Sequence, residues 1–185
     1  MVRSQFVSFV TAVTIASSVL GADGPRPMHE MQGGCDNYRW DMRPEFSAVR
    51  QVALPLVAAR SIRLEVPKLS PGRHYRVTLS PEAEVALPMP PQKSSADGSP
   101  LYGGLLQVEV AASGTYRLSS SGPLWFDMVP GESKRILESS QFEMQTRCEL
   151  IFKSVEFALE SGIRYWIQLS SSRTSTVSVT LFRSP

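Results

Sequence analysis

Val155-Glu156-Phe157-Ala158-Leu159-Glu160-Ser161-Gly162-Ile163-Arg164-Tyr165-Trp166-Ile167-Gln168-Leu169 alternates apolar and polar positions, breaks at Ser161-Gly162, and then alternates again. A period of two puts successive side chains on opposite faces of an extended strand. Glycine at the break tolerates the backbone of a tight turn. The stretch therefore reads as two half-buried strands joined by a turn. The same pattern recurs at Ile62/Leu64/Val66, Tyr75/Val77/Leu79, Ala83/Val85/Leu87, Leu106/Val108/Val110, Tyr116/Leu118, Leu124/Phe126/Met128 and Val177/Val179/Leu181. Ser70-Pro71-Gly72, Ser113-Gly114, Ser121-Gly122-Pro123 and Pro130-Gly131 punctuate it. About nine short strands at this spacing predict an all-β fold, a single β-sandwich of jelly-roll-like form.

Two stretches depart from this pattern. Pro44-Glu45-Phe46 opens a weak helical spacing between Arg43 and Ala59. Residues 88–100 carry Pro88, Pro90, Pro91 and Pro100 and read as a long loop, because proline cannot donate to a sheet ladder.

The N-terminus adds a compartment. Arg3 precedes the apolar run from Phe6 to Ala16, and Val19-Leu20-Gly21-Ala22 has the small residues that signal peptidase reads. The run is too short and too rich in Ser and Thr to span a bilayer. Residues 1–22 are thus expected to be a cleaved signal peptide and residues 23–34 a flexible tether rich in Gly and Pro. Residues 35–185 are the expected sandwich, with no integral membrane segment in the mature chain. The protein is expected to be periplasmic or secreted. The two cysteines, Cys35 and Cys148, fit an oxidising compartment and are expected to form a disulfide, since neither lies in a Cys-x-x-Cys motif.

Charge and motif content exclude several functions. Lys and Arg number 19 against 17 Asp and Glu, without a basic run, so nucleic acid is not an expected partner. Gly131-Glu132-Ser133-Lys134-Arg135 lacks the final glycine of a nucleophile elbow. His29-Glu30-Met31-Gln32-Gly33 has Gly33 where a zinc-protease helix has its second histidine. Gly33-Gly34 and Gly103-Gly104 are isolated pairs without a phosphate-binding pattern, and the second suits a bulge or a close backbone approach. No catalytic residue, metal ligand or cofactor is expected. Trp125 and Asp127 share the face opposite Leu124, Phe126 and Met128, and form the candidate ligand-stacking pair. Trp166 is a weaker candidate, and core packing explains either tryptophan equally simply.

The stretches Cys35-Asp36-Asn37-Tyr38-Arg39-Trp40, Tyr102-Gly103-Gly104-Leu105, Gly114-Thr115-Tyr116-Arg117-Leu118, Trp125-Phe126-Asp127-Met128-Val129 and Lys153-Ser154-Val155-Glu156-Phe157 together resemble a family of small exported proteins of Gram-negative bacteria whose members often carry the label homogentisate 1,2-dioxygenase. Gly114 to Leu118 also resembles, loosely, the β-sandwich appendages of secreted peptidases. The resemblance implies export and, through the label, an iron-dependent dioxygenase. Such an iron needs two histidines and a glutamate, and the chain holds only His29 and His74. The leading expectation is a non-catalytic β-sandwich that binds an envelope protein or glycan. The alternative is the iron-dependent dioxygenase.

Overall fold

The computed structural model describes residues 26–93, 98–131 and 133–185. The expected signal peptide, residues 1–22, and the start of the expected tether lie outside them. Among the described residues no helix is long and apolar enough to cross a membrane.

Among the described residues ten strands form two sheets, one more than the alternation predicts. They are β1 (Leu54–Val57), β2 (His74–Thr78), β3 (Ser80–Pro81), β4 (Tyr102–Glu109), β5 (Gly114–Ser120), β6 (Trp125–Pro130), β7 (Gln141–Met144), β8 (Lys153–Leu159), β9 (Arg164–Ser172) and β10 (Thr176–Arg183). The larger sheet runs β1-β2-β10-β5-β8-β7 and the smaller β3-β4-β9-β6. Every pairing is antiparallel except that of β1 with β2. The central order, β2-β10-β5-β8 facing β4-β9-β6, is that of a jelly roll. One strand departs from it. The strand between β6 and β8 would ordinarily extend the second sheet beyond β6; here β7 pairs with β8 instead, with Phe142 opposite Val155 and Met144 opposite Lys153.

The alternating residues meet between the sheets as expected. Tyr75, Val77, Leu118, Phe157, Val179 and Leu181 of the larger sheet pack with Leu106, Val108, Phe126, Met128, Ile167 and Leu169 of the smaller. Hydrophobic burial of this continuous layer drives the fold.

Two expected strands are not formed. Ile62/Leu64/Val66 and Ala83/Val85/Leu87 lie in chain, irregular apart from a 3₁₀ turn at Glu82–Glu84, that crosses the outer face of the smaller sheet, its backbone pairing limited to isolated bridges such as Ala59 to Leu105, Lys68 to Gln107 and Ser61 to Ala86. Of their apolar residues Val66 and Leu87 serve a second small core with Ala59, Leu105 and Trp166, whereas Ile62 and Leu64 are exposed. Trp166 is thereby a packing residue. At Gly104 a side chain would collide with Ala58, and at Gly103 a Cβ would lie 2.6 Å from the Leu169 carbonyl. The register of β4 also shifts here. The glycine pair thus permits both the bulge and the crossing chain.

The outer face of the larger sheet is covered by the N-terminal segment. Residues 26–34, expected to be a tether, include a 3₁₀ turn at Met28–Met31, with Met31 completely buried. The short helix α1 (Arg43–Val49) follows, with proline in its first turn. Beneath this cover lies a polar layer. Arg117, at the centre of β5, is 4% exposed. It donates to Glu45 at 2.9 Å and to Glu156 at 3.1 Å, and its guanidinium lies 4.7 Å from the Trp40 ring centre. Glu143 accepts from the Arg39 N–H at 2.9 Å. Gln145 accepts from the Gly33 N–H at 2.8 Å and from Asn37 Nδ2 at 3.1 Å. A disulfide between Cys35 and Cys148 fixes the segment to the chain beyond β7.

That bond closes a loop of sequence separation 113. Replacing both cysteines by serine is expected to lower the unfolding free energy by about 4–5 kcal/mol on the chain-entropy argument. Urea denaturation checks this, and a loss below about 1 kcal/mol would mean that residual structure in the unfolded chain already holds the two ends together.

Candidate functional site

A pocket of about 580 Å³ opens at the side of the sandwich where β6 edges the smaller sheet and β7 the larger. It exists because β7 belongs to the larger sheet. Among the described residues only Leu137, bridged to Met128, pairs with the free edge of β6, and the Trp125–Phe126 end stays open. The apolar walls are Leu124, Phe126, Leu137, Phe142, Met144, Val155 and Phe157. Phe142 and Met28 are exposed at the mouth, at 38% and 62%.

Strand β8 brings a charge into this pocket. Its core-facing row is Lys153, Val155, Phe157 and Leu159, because Val155, Phe157 and Leu159 join the inter-sheet core and the period is two. The pairing places Lys153 between Ser120 of β5 and Met144 of β7. Its ammonium lies 4.3 Å from the Trp125 ring centre and 5.8 Å from that of Phe126. Lys93 approaches the same indole at 5.1 Å. Contacts of a cation with an aromatic face compensate only part of the lost hydration. Burial accordingly pushes the Lys153 pKa down to about 8, the charge of Lys93 adds to the shift, and Asp127 opposes it.

Trp125 and Asp127 are brought together, though not as a solvent-facing platform. Trp125 donates its indole N–H to Asp127 Oδ1 at 2.8 Å. Asp127 is 1% exposed, and its Oδ2 accepts from the Gln92 N–H at 3.2 Å and from Gln168 Nε2 at 3.4 Å. Gln168 in turn accepts the Met89 N–H at 2.8 Å. Pro88, Pro90 and Pro91 have no N–H to offer, so these two side chains hold the donors that the loop retains and pin it across the outer face of the smaller sheet. Burial raises the Asp127 pKa, against the hydrogen bonds it accepts. The carboxylate thus orients the indole and anchors the loop, while Trp125 itself lines the pocket.

Lys153 was not among the sequence candidates. Its signal was legible in principle: a lysine that occupies the apolar phase of Lys153-Ser154-Val155-Glu156-Phe157 must point between the sheets.

The residues do not fit the iron site that the family label implies. His29 is 81% exposed beside Glu30 on the turn near β7. His74 lies on β2, with Nδ1 3.3 Å from the Gln51 carbonyl, four strand positions from β7 and hence about 19 Å away at ~4.8 Å per strand. Among the described residues no three His, Cys, Asp or Glu side chains are grouped to hold a metal ion. Comparison with family models, with curated proteins and with solved structures finds no match for this chain. The fold and the site define the class as a disulfide-linked jelly-roll sandwich with a cationic side pocket.

The Lys153 environment has a pH signature. The unfolded chain holds this proton up to about its ordinary value of 10.5, whereas the native state releases it near 8. Between those values the unfolded state binds more protons, so the contribution of this group to stability rises with pH. The unfolding free energy of the wild type is expected to gain on that of Lys153→Met across this window. Tyr38, whose pKa burial raises, contributes equally to both proteins and cancels. Urea denaturation of both proteins from pH 7 to pH 10.5 checks this, and parallel profiles would show that Lys153 remains hydrated.

Proposed function

We propose that this protein is an exported, non-catalytic binding domain, periplasmic or secreted, that holds a small component of the cell envelope in its side pocket. The observation that carries the reading is the pocket itself, an opening of about 580 Å³ between two well-formed sheet edges. Its size lies within the ~300–1,000 Å³ of sites that take small organic molecules. A concavity with mostly apolar walls and a few charges at one end is the usual form of such a site. The walls favour an apolar moiety over a bare glycan, whose hydroxyls would lose water without gaining partners. The signal-like segment 1–22 and the disulfide support an extracytoplasmic setting.

Protein recovered from the periplasmic fraction is expected to begin at Asp23 and to carry a small-molecule adduct in a native mass spectrum. Met144→Trp, which fills the pocket from the edge strand, is expected to remove the adduct and leave the thermal unfolding midpoint within a few degrees. A chain still beginning at Met1, or a wild-type protein that carries no adduct and takes up no apolar fluorescent probe, would contradict the reading.

A further inference from the structure

We infer that the occupant of this pocket is a single-chain amphiphile with a carboxylate head, and that Lys153 is the residue that pairs with that head. The inference rests on the reading of the pocket as a binding site and deepens it.

Lys153 differs from the other sequestered cations of the chain. Arg117 has Glu45 and Glu156 within 3.1 Å, and Arg26 has Glu30 at 3.1 Å and Glu143 at 3.6 Å. Lys153 has no carboxylate within 4.0 Å among the described residues, only the aromatic faces of Trp125 and Phe126. A half-buried ammonium in apolar surroundings, without a counter-ion, is a costly arrangement for a structural residue and a suitable one for receiving an anion. The apolar phase of β8 at this position would accept Met or Leu at no cost to the fold.

The charges around it agree. Lys93 from the proline-rich loop approaches the same indole, Arg173 from the turn after β9 also lines the pocket, and none of its described lining residues is acidic. Among the described residues Asp127 on β6 is the one carboxylate that acts on Lys153, and hydrogen bonds to Trp125, Gln92 and Gln168 already engage both its oxygens. Met144 is the register neighbour of Lys153 on β7, and beyond it the walls stay apolar, with Leu137, Phe142 and Phe157. Positive charge at one end and an apolar trough at the other complement a fatty carboxylate, its head at Lys153 and its chain running toward the exposed Phe142. An uncharged lipid brings Lys153 no counter-charge, whereas a carboxylate pairs with it.

Titration calorimetry with decanoate and with decan-1-ol, below their aggregation limits, tests this on the wild type, Lys153→Met and Lys93→Met. The wild type is expected to prefer decanoate. Lys153→Met is expected to weaken decanoate about 10–100-fold, the usual worth of a charge-assisted hydrogen bond, and so to reverse the preference for decanoate over decan-1-ol. Lys93→Met, at the exposed rim, is expected to lower decanoate affinity only severalfold. Decanoate affinity of the wild type is further expected to fall as the pH rises above about 8, where Lys153 loses its proton, and decan-1-ol affinity to stay level. Equal affinities for the two ligands, or decanoate binding indifferent to Lys153→Met in a protein that still unfolds cooperatively, would overturn the carboxylate assignment and leave the pocket as a binding site. Binding of neither ligand would overturn the pocket reading as well.

Discussion

Arg117 poses a problem that any buried outer sheet face must solve: a guanidinium in the middle of β5, pointing away from the core, must either reach water or be given carboxylates. Here it is 4% exposed, and Glu45 of α1 together with Glu156 of β8 supplies them. An unpaired charge at that depth would cost several kcal/mol. The sheet therefore requires its cover, and the cover in turn requires the sheet, because burial, and to a lesser degree Asp41, raises the pKa of Glu45 and the arginine opposes that rise. Ser119, Ser154 and Thr180 lie in the same buried polar layer, with the two serine hydroxyls 2.6 Å apart. The N-terminal segment is thus a third layer of the domain.

This cover also bears on the pocket. Glu143 and Gln145, in and just beyond β7, are the residues that the segment grips, through the Arg39 and Gly33 N–H groups and Asn37. Cys148 follows, bonded to Cys35. These contacts hold β7 against β8. In the ordinary jelly-roll order the same strand would close the edge of β6, and there would be no opening beside Trp125 and Lys153. The polar outer face of β7 and the apolar inner face, Phe142 and Met144, therefore belong to one device: the first is fastened to the cover, and the second lines the site.

The two-sheet fold was legible because its core strands bury one face, and burial of one face imposes the period of two that Tyr75/Val77, Tyr116/Leu118 and Ile167/Leu169 display. The same logic misled at Ile62/Leu64/Val66, where only Val66 is buried and Ile62 and Leu64 face outward in chain that forms no strand. β1 contains Pro55 and β7 spans four residues; both are edge strands whose partners, not their own pattern, define them. Of the candidate site, Trp125 and the disulfide could be read from sequence. Asp127 was misplaced because alternation shows which side of a strand a residue takes, and not whether a loop such as residues 88–93 lies over that side. The pocket was not legible at all, since it depends on which sheet β7 joins, a long-range choice made by Glu143 and Gln145 through partners more than a hundred residues away.

The coupling of Arg117 to Glu45 is the most direct measure of whether the cover is an integral layer. A double-mutant cycle of Arg117→Met and Glu45→Leu, read by urea denaturation, is expected to give a loss of about 3–5 kcal/mol for Arg117→Met alone. The double variant is expected to be more stable than the sum of the single losses predicts, by at least about 1 kcal/mol. Additive effects within ~0.5 kcal/mol, with Arg117→Met nearly as stable as the wild type, would contradict the account and mean that the N-terminal segment merely lies on a sandwich that stands without it.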